Sequence, residues 1–342
     1  MKYLFFISDI QDIWLFSYLF DRLGSFKIAY KKSGKVTSPH NFIDYFNKIS
    51  KESFRFTGLD DEKFTKEVKE CDYFITKECL PFVDNGDFSE KIIGISWVGE
   101  TIAKTHDLSS SQPPNPKKII KGCKHFYVDS QLKEFYDFLE FNVKPTSPKY
   151  YFLNNTSRED ICKALGLDHN KKYFTVFSNP NVYIDDRVIK IFNHISKFAK
   201  DMGYECIVKN KMKHGNYARD DIEHTFFCDG GPQFKCHPGI MLQSISEFSI
   251  GFATSAAIEA EALGSRFISL WRHEIKDMDS IFSSILEIGN GYRWAQSENI
   301  FNICTSDNLE SIVNKLDEFI EKSSNRDFSN RFEEDSFLQS LE

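Results

Sequence analysis

The run Gly251-Phe-Ala-Thr-Ser-Ala-Ala-Ile-Glu-Ala-Glu-Ala-Leu-Gly264, followed by Ser265-Arg-Phe-Ile-Ser-Leu270, narrows the possible folds more than any other stretch. Ser246 to Phe252 is a short apolar run ending in small residues, as a buried strand does. Thr254 and Ser255 are good helix N-caps. Ala256 to Leu263 is rich in strong helix formers and stops at Gly264, where a C-cap glycine belongs. Phe267 to Leu270 reads as a second buried strand. A strand, a tight turn, a capped helix and a parallel strand make one right-handed α/β crossover. Two functions stay open for it. It is either an ordinary structural unit, or a place where free N–H groups and two hydroxyls hold phosphate. Glu259, one turn into the helix, is within reach of a ribose in the second case.

The rest of the chain alternates in the same way. Strands are expected at Tyr3–Ser8, Lys27–Tyr30, Asp72–Thr76, Ile92–Trp97 and Phe126–Val128. Helices are expected at Trp14–Leu23, Phe42–Ile49, Glu62–Glu70 and Gln131–Leu139. This order predicts parallel strands with helical crossovers. Ser109–Pro116, with its prolines, reads as a surface loop. Lys144–Asn155 carries two prolines and leads to a helix capped by Ser157 and closed near Gly166, so the domain change is placed there. The alternation then resumes. Strands are expected at Tyr173–Ser178, Glu205–Lys209 and Phe226–Cys228. Helices are expected at Val182–Met202, Pro238–Ser244, Asp277–Ile288, Leu309–Glu321 and Phe328–Leu341.

Length and charge bound the function. At 342 residues two domains are expected. A net charge of −7 excludes bulk nucleic-acid binding, which needs a basic footprint. No apolar run is long enough to cross a membrane as a helix. The N-terminus lacks a signal-peptide layout, which predicts a cytoplasmic protein. Trp14–Phe20 is apolar enough for an interfacial anchor, but it lacks flanking lysines, so core packing and at most transient membrane contact are expected. The 8 cysteines contain no C-x-x-C pair and read as reduced, buried thiols.

In open α/β sheets, ligands bind beyond the carboxyl ends of the strands. That rule selects Ser178 and Asn179, then Lys209 and Lys211 with the neighbouring Lys213 and His214, then Thr254 and Ser255. His237, before the helix at Pro238, is a further candidate, with a lone structural or surface histidine as the plain alternative. A lysine at a strand end stabilises a departing diphosphate, and Lys209 is the nearest to its strand. A carboxylate is needed to accept a hydroxyl proton, and Asp9 and Glu100 stand after strands of the first half. A solvated basic loop, a helix cap at Asp9 and a surface acid at Glu100 are the plain alternatives. No Asp-x-Asp metal site for a sugar-nucleotide divalent ion stands out, so no metal is expected.

Two doubly wound α/β units in succession, with Glu259-Ala-Glu-Ala-Leu-Gly264 and then Phe267-Ile-Ser-Leu270, resemble the GT-B glycosyltransferases and their relatives. The resemblance implies two Rossmann-like domains facing a cleft: an acceptor domain over 1–155 and a nucleotide-sugar domain over 156–325, followed by a helical tail over 326–342. It implies that Glu259 binds the ribose, and that Thr254, Ser255 and Ala256 hold the phosphates through backbone N–H groups. It implies a glycosyltransferase moving sugar from a nucleotide-sugar to a glycan or lipid-linked acceptor in surface polysaccharide synthesis, with no cofactor beyond the donor. The best-known retaining members carry a second glutamate eight positions before the first. Here that position is Gly251, and their proline after the glycine is replaced by Arg266. UDP-GlcNAc 2-epimerases share the helix-turn phosphate site, but their His-Arg-Arg-Glu-Asn-type segment has no counterpart in the loop Ser178-Asn-Pro-Asn-Val182. CDP-glycerol polyol-phosphate transferases share the architecture without the matching histidine-glycine loop. Epimerisation, or nucleotide-sugar binding without catalysis, are the alternatives to transfer.

Overall fold

The computed structural model describes residues 1–7, 10–31, 55–77, 90–95, 124–127, 143–144, 148–183, 186–210, 220–229, 236–252, 254, 256–271, 299–305 and 307–321. The expected helices at 42–49, 131–139, 277–288 and 328–341, the loop at 109–116 and the tail at 326–342 lie outside these residues.

The chain divides into two compact units. One is built on Met1–Asn155 and also contains His237. The other is built on Thr156–Gly231 and Pro238–Ser329.

The first unit holds a seven-stranded sheet. Its strands are β1 (Tyr3–Phe6), β2 (Phe26–Lys31), β3 (Phe56–Leu59), β4 (Tyr73–Lys77), β5 (Ile92–Ile95), β6 (His125–Tyr127) and β7 (Val143–Lys144). They lie in the order β3-β2-β1-β4-β5-β6-β7, every neighbouring pair parallel. Helix α1 (Ile10–Arg22) follows β1, and α2 (Asp61–Glu70) follows β3. Ile13, Trp14, Leu15, Phe16, Leu19 and Phe20 of α1 are all buried. Phe5 meets Phe16 and Phe20 at ring distances of 5.4 and 4.9 Å. The apolar helix is therefore core. Asp60 caps α2, its side chain accepting from the Lys63 N–H at 2.9 Å. Strands β3 and β7 escape the sequence reading because Phe-Thr-Gly-Leu and Val-Lys are too short to show a period.

The second unit holds a six-stranded parallel sheet. Its strands are β8 (Lys172–Ser178), β9 (Tyr204–Asn210), β10 (Phe226–Cys228), β11 (Ser246–Phe252), β12 (Phe267–Trp271) and β13 (Ile300–Cys304). Their order is β10-β9-β8-β11-β12-β13. Among the described residues five helices accompany it: α3 (Arg158–Leu165), α4 (Asp186–Asp201), α5 (Pro238–Ile245), α6 (Ala256–Leu263) and α7 (Leu309–Glu321). Helix α3 opens with a full Ser157–Asp160 capping box and closes at Gly166 in the left-handed conformation, φ 72°. Helix α4 begins later than the apolar pattern from Val182 predicts. Pro180–Tyr183 instead forms a tight 3-10 turn, which takes Val182 into the core.

The core of this unit joins Phe174, Val176, Ile191, Phe192, Ile195, Phe248, Ile250, Ile268 and Leu316. Phe174 stacks on Phe248 at 5.1 Å between β8 and β11. Cys71, Cys162, Cys206, Cys228 and Cys304 are free thiols within apolar surroundings. Burial pushes Cys71 up to about 11 and Cys206 up to about 12, so both stay protonated. Among the described residues no helix is long and apolar enough to cross a membrane.

Candidate functional site

Each sheet reverses its direction of growth once. In the second unit the reversal lies between β8 and β11, the position at which open α/β sheets take ligands. The carboxyl ends of these two strands and of β9 bring together most of the described candidates.

Beyond β8, Ser178 and Asn179 are buried. The Asn179 amide Nδ2 donates to the Phe252 carbonyl at the end of β11, 3.0 Å away. One side chain therefore ties the two loops of the reversal together. Its geometry makes Asn179 a brace for the turn that precedes α6.

That turn is closed from below by Gly251. A Cβ built on Gly251 would collide with Cγ2 of Thr254, and would stand 3.3 Å from both Phe177 Cβ and Phe267 Cζ. The backbone of Gly251 is ordinary for a strand; only the missing side chain matters. Thr254 is half-buried over this space. Its hydroxyl accepts the Ala256 N–H at 3.3 Å, a side-chain turn that leads into the helix. Gln243 of α5 donates to the Ala256 carbonyl at 2.8 Å and holds the first turn of α6 from the other side. Ser255 lies outside the described residues.

Helix α6 is buried on nearly every side, with Ala256, Ala257, Ile258, Ala260 and Leu263 in the core. Glu259 sits among them, only 3% exposed. A carboxylate is seldom buried so deeply without a purpose. It stands in the first turn, where the helix N-terminus favours negative charge.

Lys209, near the end of β9, is half-buried between β8 and β10, in register with Phe177 and Cys228. Desolvation pulls its ammonium pKa down, opposed by the charges of Cys228 and Glu259. Asn210 beside it is buried. A lysine whose charge is disfavoured by burial and a buried carboxylate thus both stand at the edge where β8, β9 and β11 end. Together they can grip a ligand that carries both anionic oxygens and hydroxyl donors.

His237 lies elsewhere. It belongs to the first unit and packs edge-on against Trp14 of α1, ring centres 5.4 Å apart. Arg266 is at the amino-terminal end of β12, with its guanidinium 4.2 Å above the Phe319 ring, a packing role on the opposite edge. Asp9, Glu100, Lys211, Lys213 and His214 lie outside the described residues. Among the described residues no group of three or more His, Cys, Asp or Glu side chains is placed to hold a metal.

A buried pair that the sequence reading passed over stands at the matching reversal of the first sheet. Lys77 Nζ is 3.2 Å from Asp12 Oδ1. Lys77 ends a buried strand, so applying the strand-end rule to β4 would have found it. Asp12 reads from sequence only as a first-turn acid of a helix.

No protein-family model matches the chain, and no curated protein matches it by sequence. Solved structures do resemble it. The UDP-GlcNAc 2-epimerase from Neisseria meningitidis bound to UDP-GlcNAc superposes over 100% of this chain and 99% of its own, with a TM-score of 0.56 at 11% identity. The Methanocaldococcus jannaschii UDP-GlcNAc 2-epimerase in complex with UDP-GlcNAc and UDP covers 100% and 99%, with a TM-score of 0.52 at 12% identity. The E. coli ADP-heptose heptosyltransferase II is a looser likeness, covering 94% and 98% with a TM-score of 0.42 at 10% identity. With the sheet orders and crossovers above, the two epimerase likenesses establish the architecture: the chain has a GT-B-like fold.

Proposed function

We propose that this protein is a nucleotide-sugar enzyme whose donor binds the second unit, and that it transfers the sugar to a glycan or lipid-linked acceptor. The observation that carries this reading is the burial of Glu259 in the first turn of α6, together with Lys209 near the end of β9, at the carboxyl edge of the second sheet. The carboxylate accepts ribose hydroxyls. Backbone N–H groups at the start of α6 hold the diphosphate. Lys209 stabilises the negative charge that grows on the leaving nucleotide. Both epimerase structures described above carry UDP-GlcNAc, which supports a nucleotide-sugar as the ligand. Surface polysaccharide assembly is the setting in which such an activity is expected.

Epimerisation of the nucleotide-sugar is the second reading, favoured by the two epimerase likenesses with TM-scores of 0.56 and 0.52. One experiment separates the readings. The protein is first screened by calorimetry against UDP, ADP, GDP and CDP, then incubated with the matching nucleotide-sugars with and without glycan acceptors. Nucleotide released only with acceptor supports transfer. A changed sugar without acceptor supports epimerisation. Failure to bind any of the four nucleotides overturns both.

A further inference from the structure

The first sheet also reverses its growth, between β1 and β4. Here two opposite charges are buried together. Lys77 and Asp12 lie 3.2 Å apart with side chains only 8% and 1% exposed. Lys77 is the last residue of β4, and Asp12 stands in the first turn of α1, directly after β1. The pair thus spans the two backbone segments that bound the reversal. Ile13, Trp14 and Ile75, their neighbours along the chain, are buried as well.

Stability alone is a poor reason for this arrangement. Taking two ions out of water costs several kcal/mol for each, and a well-packed apolar pair usually holds the same elements as well or better. The helix N-terminus favours Asp12, but it does so equally for exposed acids. What an ion pair adds is direction, because two charges admit one geometry where two methyl-rich chains admit several. The place where that direction is imposed is where sheets of this class bind ligands.

We propose that Asp12 and Lys77 are positioning residues for the first unit's share of the reaction. They fix the first turn of α1 against the end of β4, at the sheet edge where a hydroxyl-bearing acceptor would bind. This inference rests on the nucleotide-sugar reading above, with the donor on the second unit.

The test compares the full-length parent with Lys77→Arg and with the double variant Asp12→Leu/Lys77→Met. Thermal melting, calorimetric binding of the nucleotide found in the screen above, and turnover of its nucleotide-sugar are measured on each. The double variant should melt at or above the parent temperature and bind the nucleotide with parental affinity. Its kcat should fall by roughly a hundredfold, the scale of loss when a remote change misplaces reacting groups. Lys77→Arg should keep most of the parental kcat. A double variant that folds and turns over like the parent overturns the proposal. One that fails to fold assigns the pair to stability and overturns it as well. A parent that binds none of the nucleotides instead removes the enzyme reading, and does so before any variant is made.

Discussion

The side chain of Thr254 occupies the space that a side chain on Gly251 would need. The retaining subgroup of the resembled family carries its second carboxylate at this position, and here the turn is packed against it. Thr254 spends its methyl on this contact and its hydroxyl on the Ala256 N–H. Gly251→Ala should therefore overpack the turn and lower stability by about 1–3 kcal/mol. Urea denaturation of parent and variant measures this. Gly251→Glu should be at least as destabilising and should confer no retaining activity.

Glu259→Gln and Glu259→Ala should both weaken nucleotide binding. A charge-assisted hydrogen bond to a ribose is worth about 1.5–3 kcal/mol, so affinity should drop roughly ten- to hundredfold. Calorimetry against the cognate nucleotide checks it. The circular dichroism spectrum should remain that of the parent. Unchanged affinity would take Glu259 out of the site.

Lys209 links the site to pH. Its folded pKa lies below the ordinary lysine value of 10.5 because burial disfavours the ammonium. The unfolded chain then binds more protons than the folded one between the folded pKa and 10.5. Below the folded pKa the buried charge costs stability in full. As pH rises through that window the cost is relieved, so the parent gains stability. Lys209→Met abolishes this term. The stability of the parent relative to Lys209→Met should therefore rise as pH climbs toward 10.5, as read from denaturation curves at increasing alkaline pH. A pH-independent difference would show that Lys209 titrates normally.

Arg158 is predicted to be a structural clamp. Its guanidinium donates to the carbonyls of Lys171 at 2.7 Å, His169 at 3.3 Å and Ile245 at the end of α5. Arg158→Met keeps the aliphatic stem and leaves these acceptors without the donor. A loss of about 1–3 kcal/mol is expected in chemical denaturation, with nucleotide affinity unchanged.

The local chemistry of the chain was largely legible without a structure. The α6 boundaries, the Ser157 and Gly166 caps, the strand Phe226–Cys228 and the helix Leu309–Glu321 follow from residues within a few positions of one another. Capping, turn formation and amphipathic period are short-range effects, so they are written into short windows. Short strands such as Ile300–Cys304 were less legible, because five residues carry too little pattern. Pairings across the fold were not legible at all. Asn179 meets Phe252 over 73 positions of sequence. Lys77 meets Asp12 only because β1 and β4 become neighbours at a reversal of strand order. His237 precedes a helix of the second unit yet packs on Trp14 in the first. The sequence by itself determined which segments become strands and capped helices. Only tertiary structure decided which charges are stripped of water together, because burial depends on what the rest of the chain brings alongside.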